Sequence, residues 1–394
     1  MQLKHFPFRY LKIPKEYKNL PKSIKIASLI FFSYNLGWGI VTAYYAIYLK
    51  NVLGSYYNIG YIIGVYHLTC IITNFVFSVL LDKINKRKII RLILIFYFPF
   101  SYIFLKISTL IMFLFFVMYH GFIATALWIS GEAYIRKHSP KNRAIESIAY
   151  FDLSYFISLI IGCFLGVFLI STYKFNIFYS ISFFAFIAFL FTIFLPDKEK
   201  TFVNINIFKE IKKEIKNIKN NKRLKQLGFI LFLFIFIQGI AGLIIPLFLN
   251  EMKVELYQIG IIVAISYLPF LCEGFFALLK KRKQVVMTAI FSLFLFFSLL
   301  FFIKNIFIIF IINLLISICF SAIMPIIAGN LTEAMPKERM GELSGFVFVV
   351  RNIGFGVSGL VSGFIASSLG LNFNFAFSAL VSIVLLYLSS KTKF

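Results

Sequence analysis

Residues 58–88 read NIGYIIGVYHLTCIITNFVFSVLLDKINKRK, an apolar run closed by Asp82-Lys83 and the basic cluster Lys86, Arg87, Lys88. A helix crosses the hydrocarbon of a bilayer with about 20 apolar residues, and the run 58–81 meets that length. It shows no sustained alternation of polar and apolar side chains, which a membrane β-strand would need. Runs of the same kind cover 26–49, 89–105, 110–135, 144–170 and 177–195, then 227–250, 258–279, 285–303, 306–330, 344–367 and 371–389. The chain is thus expected to be an all-α membrane protein of about twelve transmembrane helices. The composition agrees: 60% of residues are hydrophobic, 14% are charged and the mean hydropathy is +0.90. A water-soluble domain has no means of burying so much apolar surface. Twelve spans use up most of the 394 residues, leaving no room for a separate soluble catalytic domain.

The net charge of +25 would suit a nucleic-acid partner, but its distribution argues otherwise. Of the 40 lysines and arginines, 34 fall in alternate loops, five (Lys50, Lys106, Lys174, Lys253, Lys304) fall in the others, and Arg351 lies within a span. Such a bias marks the cytoplasmic side of a membrane protein. It predicts a multi-pass protein of the cell membrane with both termini in the cytoplasm and no nucleic-acid role. Cys70, Cys163, Cys272 and Cys319 lie in apolar runs at no metal-ligand spacing, so no metal or other cofactor is expected. The basic segment 1–25 lacks the short apolar core of a cleaved signal peptide.

Between the halves, residues 196–226 place Ile207, Ile211, Ile215 and Ile218 at helical spacing among lysines. This amphipathic linker either rests on the anionic cytoplasmic leaflet or is a solvated helix. The flanking halves, 26–195 and 227–394, repeat one another. Tyr57-Asn58-Ile59-Gly60 returns as Tyr257-Gln258-Ile259-Gly260, and Gly39-Ile40 as Gly239-Ile240. Pro140-Lys141-Asn142-Arg143 returns as Pro336-Lys337-Glu338-Arg339. Corresponding elements start on the same side, so the two six-helix units are parallel repeats, a transporter hallmark.

The segment Ser78 to Lys88 resembles the loop motif of the major facilitator superfamily, Gly-x-x-x-Asp-Arg/Lys-x-Gly-Arg/Lys-Arg/Lys, with Ser78 and Asn85 at its glycine positions. Asn85 would tolerate the left-handed turn that glycine supplies. The resemblance implies two six-helix bundles around a central cavity lined by spans 1, 4, 7 and 10. It also implies that Asp82 faces the eleventh span as a conformational latch, the alternative being a solvated loop charge. His120-Gly121-Phe-Ile-Ala124-Thr125 is similar to part of the drug:proton antiporter motif, with Val117 at its arginine position. Ser158-x-x-x-Gly162-Cys163-x-x-Gly166 echoes another antiporter motif but lacks its proline.

Ionisable groups inside a bilayer are costly and need a reason. His67, His120, Glu132, Asp152, Glu273 and Arg351 are such groups, His67 suiting either a hydrogen bond in a helix interface or proton carriage. If spans 5 and 8 touch, as the resemblance implies, Asp152 and Glu273 share a level and could carry protons. The competing reading makes them static charge pairs with Arg351. Glu132 and Arg136, four apart, suit an interfacial ion pair. Candidate cavity residues are Asn35, Trp38, Thr42 and Tyr45 in span 1, His120, Thr125 and Trp128 in span 4, Gln238 in span 7, and Asn313, Ser317 and Ser321 in span 10. Tyr44, Tyr48, Tyr56, Tyr57 and Tyr61 suit an interfacial aromatic belt. Pro246, Pro325 and the glycines of spans 7 and 11 supply flexible points.

The function expected is alternating-access transport of a small organic solute by a monomer, with proton coupling. A facilitative uniporter is the alternative. A membrane-embedded enzyme would need a large outer loop with an acidic motif, and a sensor would need a further domain. The weakly polar, aromatic faces favour a neutral or amphiphilic solute.

Overall fold

A computed structural model describes residues 20–80, 84–140, 143–196, 221–277, 281–335 and 340–392. Asp82, Lys83 and the linker helix expected around Ile207–Ile218 lie outside them. The described elements are all helical. Span 1 is Lys22–Thr42 continued by Tyr45–Leu53, span 2 is Tyr56–Leu80, and span 3 is Lys86–Phe96 with Phe100–Lys106. Leu110–His138, Ala144–Tyr173 and Tyr179–Phe191 are spans 4, 5 and 6. The second half runs Lys222–Glu251 (span 7), Leu256–Ser266 with Glu273–Ala277 (span 8), Arg282–Phe302 (span 9), Ile306–Glu333 (span 10), Met340–Ser368 (span 11) and Phe373–Ser390 (span 12).

Among the described residues ten stretches are long and apolar enough to cross a membrane, and one of these, Tyr150–Phe194, holds two spans. The same turn of span 1 shows this: Gly39 packs on Gly162 while Gly37 packs on Ile181. A straight helix would carry 162 and 181 about 28 Å apart, so the chain doubles back between them. It does so at Lys174, whose φ is +47°. Span 8 supplies the remaining crossing, but in pieces. The sequence predicts one helix over 258–279, whereas a 3₁₀ segment, Leu268–Cys272, interrupts it. Pro269 sits at its start and has no N–H to continue the preceding ladder.

Several helix starts follow ordinary capping chemistry. Thr109, Asn221 and Asn305 each accept from a backbone N–H of the first turn they precede. Asn85 does the same for Lys88, at 3.2 Å, with φ −64° and ψ 115°. Its place at a glycine of the loop motif is therefore explained by a cap in extended backbone, and the left-handed turn expected for it does not form. Arg87 and Arg91 donate to carbonyls of Ile193 and Thr192 at the end of span 6, where the helix dipole is negative.

We call the side carrying the lysine-rich helix starts at 86–91 and 281–283 the basic face, and the opposite side the far face. The two halves meet along spans 2 and 11 and along spans 5 and 8. Phe115, Phe168 and Phe302 are at least 70% exposed, a surface suited to hydrocarbon and not to water. Tyr57 and Tyr61 join that exterior as the aromatic-belt reading expects. Tyr44 and Tyr48 depart from it: both are core residues, Tyr48 donating to the Phe104 carbonyl. Their helix bends at Ala43-Tyr44 and turns them inward.

Candidate functional site: the junction of the halves

Spans 2 and 11 present matched stripes with small residues at helical spacing. Tyr56, Gly60, Gly64 and His67 face Asn352, Gly356, Gly359 and Gly363. A Cβ on Gly60 would collide with the Gly359 carbonyl and lie 3.0 Å from Gly363 Cα. The backbones are thus in direct contact, an approach only glycine permits. At the level of His67 the contact becomes polar: its Nδ1 lies 2.8 Å from Asn352 Oδ1, joining the two halves. Asn352 Nδ2 donates to Phe348 O, so Oδ1 is the acceptor and His67 Nδ1 carries the proton. Phe355 stacks on the imidazole at 5.5 Å. Nearer the basic face, Gly345 has open space around it.

The partner junction, between spans 5 and 8, closes at the same far end. Gly260, the repeat equivalent of Gly60, receives the Tyr44 hydroxyl and Val167. The Tyr44 ring is fully buried and its hydroxyl has no hydrogen-bond partner among the described residues. Phe156 and Phe270 stack further along at 6.0 Å.

Beyond these aromatics the junction becomes charged. Asp152 in span 5, Glu273 at the first turn after the span 8 break, and Arg351 in span 11 lie within electrostatic reach of one another. None of the three closes to ion-pair distance with a described partner. Asp152 and Arg351 are exposed and Glu273 is half-buried. Glu132 and Arg136 form the expected i,i+4 pair at 3.4 Å, and Arg136 also donates to Ser344 Oγ at 2.8 Å, crossing between halves.

The cavity candidates are mostly committed to the protein itself. Asn35 donates to Phe31 O, Thr42 to Trp38 O, Ser317 to Asn313 O and Ser321 to Ile318 O. Asn313 reaches Ile262 O at 3.5 Å, and Thr125 is buried. His120 is buried against Trp38, stacked at 4.7 Å and 5°, with Tyr66 and Phe100 beside it. Tyr45 stacks on Phe104, and Trp128 meets Phe151 and Tyr155 edge-on. Gln238 is half-buried. Of the loop-motif bases, Lys86 is buried and Lys88 exposed.

Two parallel helical halves joined along spans 2–11 and 5–8 match a known architecture. The Major Facilitator Superfamily profile covers residues 27–279 and 274–392. The chain belongs to the Major Facilitator Superfamily. It is 24% identical over 378 residues to the uncharacterized MFS-type transporter MJ1560 of Methanocaldococcus jannaschii, covering 93% of this chain and 96% of that one. Its fold is similar to that of a mutant of the nucleoside transporter NupG, with a TM-score of 0.80 at 15% identity, covering 94% of this chain and 99% of that one. A bacterial homologue of the human lysosomal transporter Spinster, inward-facing and occupied, gives 0.73 at 11% identity, with 96% and 97% covered. The human organic anion transporter MFSD10 gives 0.67 at 13%, with 94% and 100% covered. As a superfamily member the protein is a multi-pass membrane transporter and not an enzyme.

Within this Major Facilitator Superfamily member, the Ser158–Gly166 motif has a plain packing role, since Gly162 lies directly on Gly39 of span 1. Gly121 likewise admits the backbone of span 2 at Tyr66. Sequence reasoning missed Asn352 and Ser344. For Asn352 the signal was present: it begins the stripe continued by Gly356, Gly359 and Gly363.

Proposed function

We propose that the protein moves a small, neutral or amphiphilic organic solute by alternating access, driven by protons. The observation carrying this reading is that Asp152, Glu273 and Arg351, contributed by three spans and both halves, lie within electrostatic reach of one another, with Asp152 and Arg351 exposed. Carboxylates there change neighbours whenever the halves rock, so their proton affinity changes with conformation. That linkage is what proton coupling requires. Arg351 supplies a cation that competes with protons for both acids. Asp82, Lys83, Lys86, Arg87 and Lys88 are read as the basic-face latch of the same movement.

We read the basic face as the cytoplasmic side of a cell-membrane protein, a reading supported by the 34 of 40 lysines and arginines on that side. The weakly polar, aromatic faces of spans 1 and 4 are read as favouring a neutral or amphiphilic solute, and nucleosides belong in the first panel since one structural relative is a nucleoside transporter.

The test is uptake into proteoliposomes with and without a pH gradient, using a panel of neutral aromatic solutes. Wild-type protein should accumulate its solute only with the gradient. Asp152→Asn and Glu273→Gln should each lower gradient-driven accumulation about tenfold or more while sparing solute exchange. Accumulation by neither protein, with equal facilitated flux in both, overturns coupling and leaves a uniporter.

A further inference from the structure

On the exterior of the second half, spans 8, 9 and 10 enclose a cleft of about 440 Å³, within the roughly 300–1,000 Å³ range of small-molecule sites. It lies on the opposite side of span 10 from Asn313 and Ser317, so the transport junction does not account for it. Its floor is made by the small buried residues Ala289, Cys319 and Ala322. Span 9 also lends the cleft Gln284, Thr288 and Ser292, one per turn and the first two exposed, which lie along its edge while the lining itself is almost wholly apolar. Hydrocarbon alone leaves those polar groups unsatisfied, and water alone suits the apolar floor poorly. An amphiphile suits both.

The dimensions and the charge at the mouth narrow the choice. From Lys281 to Ser292 the helix rises about 16 Å, close to half of the roughly 30 Å hydrocarbon thickness. The cleft is therefore one leaflet deep, with a lysine at its polar end. In the basic run at that end, Arg282 pairs with Glu333 at 3.0 Å and Lys283 donates to Ser390 O at 2.7 Å. Lys281 is exposed, lines the cleft and has no partner among the described residues. A free ammonium at the headgroup level of the lysine-rich face attracts anionic lipid.

We propose that this cleft binds one anionic membrane lipid, its phosphate on Lys281 and a hydrocarbon chain along Ala289, Cys319 and Ala322. The experiment is native mass spectrometry of the purified full-length protein in detergent, titrated with phosphatidylglycerol or phosphatidylcholine. Wild-type protein should take one phosphatidylglycerol in preference to phosphatidylcholine. Lys281→Gln should weaken phosphatidylglycerol about five-fold and leave phosphatidylcholine unchanged, while Lys174→Gln on the far face should change neither. Ala289→Trp, which fills the floor, should lower binding of both lipids, and its unfolding temperature reports that it folds. Three results overturn the proposal. They are equal losses in Lys281→Gln and Lys174→Gln, full displacement of lipid by inorganic phosphate, and a dimer that Ala289→Trp dissolves, which would make a second copy the occupant.

Discussion

At the far face the two halves touch backbone to backbone, Gly60 on Gly359 and Gly363, whereas towards the basic face they are joined by the Arg136–Ser344 bond, with Asp152, Glu273 and Arg351 within electrostatic reach across the junction. The first contact depends on shape. Dispersion falls away within an ångström of separation, so a glycine seam is either closed or lost. Charges act over longer distances and respond to protons, salt and ligand. A transporter has use for both: a seam that shuts firmly, and a seam whose strength its cargo and coupling ion can alter. In this structure the firm seam is shut.

The comparison is broken most severely by placing bulk in the glycine seam. Gly60→Leu has no space beside Gly359, and overpacking costs about 1–3 kcal/mol. The far face should open, with transport falling about tenfold or more. The check is modification of an Ile63→Cys reporter by a membrane-impermeant maleimide, in a background lacking the exposed Cys272. Unchanged labelling would mean that the seam is not the closed gate.

A smaller effect sharpens where one kind of contact gives way to the other. His67→Leu and Asn352→Leu each remove the hydrogen bond between halves, worth about 1 kcal/mol. Each should raise reporter labelling roughly five-fold, and the double variant should add little beyond either single one. Fully additive effects would show that the two side chains act separately. The weakest expected change is at the half-buried Glu132–Arg136 pair, an i,i+4 pair worth about 0.3–0.5 kcal/mol. Glu132→Gln should alter transport less than about twofold, a difference that 1 M salt removes. A loss as large as that of Asp152→Asn would move Glu132 into the coupling group.

Much of this arrangement is legible in the chain before folding. Apolar run length gives the spans, the side chosen by lysine gives the two faces, and the repeat of Tyr57–Gly60 at Tyr257–Gly260 gives the parallel halves. The interruption of span 8 is less visible, since Pro269 is tolerated in a membrane helix unless its neighbours yield. Polar stripes are the least secure guide. Asn35, Thr42, Ser317 and Ser321 share helical faces, yet each spends its hydrogen-bonding group on its own helix. Spacing identifies a face but not the neighbour it meets, and a short polar side chain can satisfy itself four residues back. The stripes of spans 2 and 11 read more clearly, because an unbroken row of small residues has little purpose other than close approach.

The Tyr44 hydroxyl, buried against Gly260 with no hydrogen-bond partner among the described residues, sets a cost against the closed far face. A buried polar group left unsatisfied costs about 1–3 kcal/mol, and separating the halves would hydrate it. The packing that closes the far face thus encloses a polar atom that opening would relieve.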